Sequence, residues 1–112
     1  MQVKAYTKHL PISAQKLRLV ADQVRGMYAN EASIVLKHMP HKGAKLAFRT
    51  LESAIANGEE NFELNRQDLV IKSITVDEGP SLKRVKAGAR GRYKPRVKRT
   101  SHLTVILEER ED

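Results

Sequence analysis

Basic residues recur at every second position between residues 84 and 98, and this row is the strongest chemical signal in the sequence. Its members are all even-numbered, with only Gly88 interrupting the series: Arg84, Lys86, Arg90, Arg92, Lys94, Arg96 and Lys98. Lys83 and Arg99 bring the segment 79–100 to nine bases, and it contains no Asp or Glu. Guanidinium and ammonium groups bind phosphate oxygens. Basic residues this closely spaced, with no acidic residue among them, predict a segment that binds a polyanion.

The segment 79–100 also sets the sign of the charge on the whole chain. The 112 residues carry a formal charge of +8, so the residues outside this segment sum to −1. A block of one sign repels itself, whereas solubility alone is served by mixed charges. We therefore expect the block to act together with a partner of opposite charge.

A second, weaker basic surface is predicted on the helical part of the chain. Its members are Lys16, Arg18, Arg25, Lys42, Lys45 and Arg49. Charged residues on a helix often contact only solvent, and we expect this of half of these six residues. Thr100, Ser101 and His102 lie where the hairpin rejoins the domain; they are either ordinary polar residues of a strand or donors to a nucleic-acid backbone.

Catalytic and metal sites find little support in the sequence. Ser101 and His102 are neighbours, but adjacent side chains on a strand point to opposite faces, and no carboxylate is placed to orient the imidazole. His38 and His41 are separated by Pro40, which breaks helical spacing, and no third ligand is near. The chain has no Cys, which excludes disulfides and thiolate sites. We predict no enzyme activity, no metal and no cofactor.

A short glycine motif, Gly88–Gly91 with the sequence GARG, matches the GxxG loop of KH domains. That loop joins two helices, whereas this one joins two segments with strand character. The motif is therefore interpreted as a turn.

The element that must carry the basic row is a β-hairpin. A period of two is the period of a strand, and Gly88 to Gly91 provides turn residues near the middle. Two arms of about 11 residues would each reach roughly 35 Å at about 3.3 Å per residue. Pro95 lacks an N–H group, so the second arm should be irregular or edge-like there.

Three amphipathic helices are predicted in the first 58 residues. The first is capped by Ser13 and followed by Gly26, the second is capped by Asn30 and stopped by Pro40, and the third covers about residues 42–57 before Gly58. Their apolar stripes follow the spacing i, i+3, i+4, i+7. The stripes are Leu17, Val20, Ala21 and Val24; Ala32, Val35, Leu36 and Met39; and Ala44, Ala47, Phe48, Leu51, Ala54 and Ile55.

Three strands complete the predicted fold, at residues 2–10, 69–76 and 103–107. They should form a three-stranded antiparallel or mixed sheet packed with three α-helices, an α+β fold with a long protruding basic β-hairpin. We expect one domain over residues 1–112, with a globular part at 1–78 and 101–112 and the hairpin at 79–100. The longest strictly apolar runs are three residues, and the N-terminus has no apolar stretch, so neither a membrane span nor a signal peptide is expected.

Five motifs, in order and spread over almost the whole chain, closely resemble those of the large ribosomal subunit protein 22 family, bacterial type. They are Ser13 with 17–22 (LRLVAD), Arg25-Gly26, 53–57 (SAIAN), 77–84 (DEGPSLKR) and 98–102 (KRTSH). The resemblance implies a globular domain on the ribosome surface and a hairpin that threads through large-subunit ribosomal RNA to line the polypeptide exit tunnel. It also implies a part in early subunit assembly and a ribosome-bound, cytoplasmic location.

The resemblance assigns roles to particular residues. The tip of the hairpin would line the tunnel with Gly88, Ala89, Arg90 and Gly91. The residues expected to bind RNA are Lys83, Arg84, Lys86, Arg90, Arg92, Lys94, Arg96, Lys98, Arg99, Lys16, Arg18, Arg25 and His102. Neighbouring ribosomal proteins and the nascent polypeptide are the further candidate partners. The chain departs from the family at residues 86–89, where KAGA replaces the usual Arg-Pro-Arg-Ala stretch.

An architectural DNA-binding protein with a basic β-arm is the alternative function. Such arms carry an apolar wedge at the tip that unstacks base pairs. The predicted tip, Gly88 to Gly91, has no wedge.

Overall fold

The computed structural model describes residues 2–87 and 93–110. Within them the chain forms five strands, three α-helices and one 3-10 helix. In chain order these are β1 (Gln2–Leu10), α1 (Ala14–Val24), α2 (Ala29–His38), α3 (Lys42–Phe62), the 3-10 helix (Arg66–Asp68), β2 (Leu69–Glu78), β3 (Leu82–Ala87), β4 (Tyr93–Lys98) and β5 (Ser101–Glu109). The predicted α+β class is confirmed.

The sheet is antiparallel throughout, with the order β1-β5-β2. The central strand β5 alternates, and its inward residues Ser101, Leu103, Val105 and Leu107 are fully buried. Two irregularities were not predicted. One lies in β1 between Thr7 and Leu10, and the other lies in β2 between Ile71 and Ser73, where Lys72 is the extra residue. The extra residue allows Ile71 and Ile74 to be buried together.

The helices cover one face of this sheet with the predicted stripes. Every member of the α1 stripe is buried, and in α3 only Phe48 stays partly exposed. Small residues line the inner side of α3, including Gly43, Ala44, Ala47 and Ala54. A Cβ on Gly43 would approach Val20 Cγ2 of α1 to 3.2 Å. The lack of a side chain therefore lets α3 lie close to α1.

Two predicted helix ends are wrong, and the other four are confirmed. Among the confirmed ends, α2 stops before Pro40 and α3 begins at Lys42. Ser13 caps α1, accepting a hydrogen bond from the Lys16 N–H, and Gly26 follows the helix with a φ of +82°. The N-cap of α2 is Tyr28 rather than Asn30, whose side chain instead accepts a hydrogen bond from Arg66 Nε at 2.6 Å.

The third helix passes through Gly58 and ends five residues later than predicted, at Phe62. Gly58 is buried against Val3 and Leu69, so it serves close packing rather than termination. The left-handed residue that ends the helix is Glu63, with a φ of 54°.

Strands β3 and β4 form a separate two-stranded ribbon with six residue pairs. Its paired length is about 20 Å at roughly 3.4 Å per residue. The principal extents are 65 × 24 × 17 Å, and the radius of gyration is 17.0 Å, whereas a compact chain of this length has a radius near 13 Å. The molecule is therefore elongated, as a protruding hairpin requires.

Candidate nucleic-acid interface

The register of the ribbon places its even-numbered positions on one face. Arg84 pairs with Arg96, and Lys86 pairs with Lys94. Residues directly opposite each other on an antiparallel pair share a face, as do residues two apart along a strand. The period of two in the sequence predicts only that the basic positions within one strand share a face. The register shows that positions 84 and 86 of β3 share that face with positions 94 and 96 of β4. Like charges in this arrangement repel each other, so the face favours a bound anion.

The predicted tip lies outside the described residues. Gly88, Ala89, Arg90, Gly91 and Arg92 belong to this part. Lys83 and Lys98 lie within the ribbon, opposite Val97 and Leu82 respectively, and Arg99 follows directly at its base. Lys98 and Arg99 are both exposed.

The base of the ribbon is built from a close contact between two chain segments. The Gly79 N–H donates to Thr100 O at 2.9 Å, and Thr100 Oγ1 donates to Pro80 O at 2.6 Å. A Cβ at Gly79 would lie 2.6 Å from Thr100 Oγ1 and 3.1 Å from His102 Cε1. Glycine is therefore required at position 79, where it lets the ribbon join the sheet through β2 and β5.

Two of the helical residues predicted to bind RNA, Arg18 and Arg25, form hydrogen bonds within the protein. Arg18 Nη2 donates to Val76 O at 3.0 Å, and Arg25 Nη1 donates to Ile74 O at 2.7 Å. Arg25 also pairs with Asp22 at 3.1 Å. These two guanidinium groups tie α1 to β2, while Lys16 is exposed. Helical periodicity placed them on a polar face, but it gave no sign that this face adjoins a strand.

His102 belongs to an aromatic cluster that was not anticipated. Its Nδ1 accepts a hydrogen bond from the backbone N–H of His9 at 3.1 Å, and the two rings meet edge to face with centroids 5.0 Å apart. Tyr6 lies at 6.1 Å from the His102 ring and is exposed. His9 has a φ of 57°. This backbone conformation at the β1 irregularity brings the rings together. It could not be predicted from the pattern of residues in the sequence.

Within residues 2–87 and 93–110, no group of three His, Cys, Asp or Glu is placed to hold a metal ion. No helix there is both long and apolar enough to span a bilayer.

Comparison with known proteins finds a match over nearly the whole chain. The model of the family described as ribosomal protein L22p/L17e matches residues 5–108. The chain belongs to the ribosomal protein L22p/L17e family. The helices, the sheet and both strands of the ribbon lie almost entirely within the residues that the family model matches.

Curated members of the L22p/L17e family align with the chain from end to end. A protein of Akkermansia muciniphila is 48% identical over 111 residues, which cover 99% of each chain. One of Chloroflexus aggregans is 47% identical over 112 residues, covering 100% of this chain and 99% of its own. One of Desulfotalea psychrophila is 47% identical over 109 residues, covering 97% and 99%. All three are named large ribosomal subunit protein uL22.

Proposed function

We propose that the protein is a structural component of the large ribosomal subunit that binds large-subunit ribosomal RNA. The observation that carries this proposal is the ribbon. Its register gathers five bases at even-numbered positions on one face, in a segment of nine bases and no acids. The end-to-end match to relatives named as large-subunit proteins supports the choice of ribosomal RNA over other polyanions.

The shape of the ribbon suits folded RNA. Two strands lie about 4.8 Å apart, so a ribbon is thin enough to enter crevices between RNA helices. Bases on one face reach phosphates of several RNA segments at once. A protein that bridges distant segments stabilises their arrangement, which accounts for the expected role in subunit assembly.

The finer part of the proposal concerns the end of the hairpin. Strands β3 and β4 form a ribbon separate from the three-stranded sheet, and we propose that the predicted tip between them lines the polypeptide exit tunnel. There the nascent polypeptide becomes a partner, while neighbouring ribosomal proteins contact the globular part. The location that follows is ribosome-bound and cytoplasmic.

Sedimentation of cell extracts at high salt tests the proposal. The protein is expected to remain with the large subunit, because many phosphate contacts act together. Migration with bulk DNA would instead support an architectural DNA-binding protein. Migration at the top of the gradient, free of both, would refute stable assembly.

A further inference from the structure

A groove on the globular part lies next to the base of the ribbon and is apolar inside. Its apolar lining, here called the floor, consists of Ile12, Leu19 and Val20, between α1 and the start of α3. Ile12 and Val20 are buried, whereas Leu19 is 62% exposed. The groove encloses about 480 Å³, a volume typical of small-ligand sites. It is open to solvent, so a partner can enter it from outside.

The rim of the groove is strongly basic. It carries Lys16, Lys42, Lys98 and Arg99. None of the described residues that line the groove is Asp or Glu. Lys42 Nζ donates to Pro11 O at 2.9 Å, which holds one ammonium group at the rim with N–H donors to spare. An occupant must therefore combine a flat or apolar body with negative charge at its edge.

We propose that this groove holds one unstacked nucleotide of the bound RNA, with the base over Leu19 and its flanking phosphates against the basic rim. This inference rests on the proposed function and adds a site to it. A nucleotide has the required chemistry, an apolar base face attached to anionic phosphates. RNA-binding proteins commonly read bases that are splayed out of single-stranded loops and bulges. Lys98 and Arg99 link the groove to the ribbon, so one RNA strand reaches both.

An uncharged apolar peptide fits this groove less well. It would leave the four basic groups of the rim without anionic partners, at a cost in desolvation. An acidic protein tail would satisfy them but not the apolar floor. The basic rim and the apolar floor together favour a nucleotide, and photocrosslinking distinguishes a nucleotide from a protein occupant.

The first test removes the apolar floor without changing the charge. Leu19→Ala in the full chain is expected to weaken binding to in vitro transcribed large-subunit ribosomal RNA by at least about fivefold, because it removes apolar side-chain surface that the base would bury. Ile34→Ala is the matched control, because Ile34 on α2 is also 62% exposed and lies outside the groove. Both residues are exposed, so circular dichroism should report intact folds. Equal binding by the two variants would overturn the inference.

The salt dependence of binding separates the floor from the rim. Lys16→Gln should reduce the slope of log affinity against log salt by about 1, whereas Leu19→Ala should leave the slope unchanged. Lys72→Gln, at an exposed lysine outside the groove, is the control for the lost charge. An unchanged slope in Lys16→Gln would remove the rim from the site.

Photocrosslinking in assembled subunits identifies the occupant. A diazirine analogue of leucine at position 19 is expected to crosslink to one nucleotide base, and the same analogue at position 34 is not. A crosslink from position 19 to a ribosomal protein, or none at all, would overturn the nucleotide site while leaving the proposed function intact. Failure of the unmodified protein to bind the RNA would instead refute the proposed function itself.

Discussion

Neutralising the basic face of the ribbon should abolish much of the salt dependence of RNA binding. The four positions that pair across the two arms are changed together, as Arg84→Gln, Lys86→Gln, Lys94→Gln and Arg96→Gln. These like charges belong to positions directly opposite each other in the register, a pairing that destabilises a strand pair, so their removal should not weaken the ribbon. The globular part should remain folded, with a melting temperature no lower than that of the unchanged protein.

The size of the effect follows from the number of paired bases. Each phosphate contact contributes roughly 0.7 to 0.9 to the slope of log affinity against log salt, so four contacts contribute roughly 2.8 to 3.6. Between about 50 and 200 mM salt, the affinity of the unchanged protein should therefore fall roughly 50- to 150-fold further than that of the variant.

Filter binding to large-subunit ribosomal RNA over this salt range measures the two slopes. A control protein loses the same charge at four exposed sites off the ribbon, as Lys4→Gln, Lys37→Gln, Lys72→Gln and Arg110→Gln. If the control lost as much slope as the ribbon variant, binding would depend on net charge rather than on this face. A ribbon variant with the slope of the unchanged protein would refute the reasoning.

Three further substitutions test the framework that holds the ribbon. Gly79→Ala forces a Cβ to within 2.6 Å of Thr100 Oγ1; it should destabilise the protein by about 1–3 kcal/mol in urea unfolding, and an unchanged midpoint would contradict the tight contact. Ser101→Ala removes a buried hydroxyl that has no hydrogen-bond partner among the described residues, and it should raise stability by about 1 kcal/mol; a clear loss would reveal a partner for that hydroxyl. Leu51→Ala opens a cavity at a side chain that is 1% exposed, which should cost about 2–5 kcal/mol by thermal unfolding; a cost below about 1 kcal/mol would mean that α3 is loosely packed.

Apolar periodicity was sufficient to predict the helices, and alternation in β1 together with β-branched and aliphatic residues in β2 and β5 predicted the sheet. The stripes of α1 and α3 are read from apolar spacing alone, because one face of each helix packs on the sheet. The basic row of period two likewise predicted paired strands, and β3 and β4 pair over six positions. The single-domain interpretation and the residues assigned to RNA stay predictions.

Features that depend on tertiary contacts were not predictable from the sequence. Gly58 does not end a helix. Its lack of a side chain lets α3 pack closely against Val3 and Leu69. The ties from Arg18 and Arg25 to β2 depend on which strand lies beside α1. Leu19 did leave a signal, as an apolar residue off the stripe of its own helix.

A density map of the large subunit that contains this protein tests the central claim most directly. We predict that β3 and β4 are enclosed by ribosomal RNA, with phosphates within about 3 Å of the basic groups at positions 84, 86, 94 and 96. A ribbon lying against other proteins or in open solvent, with no phosphate near those positions, would contradict the account.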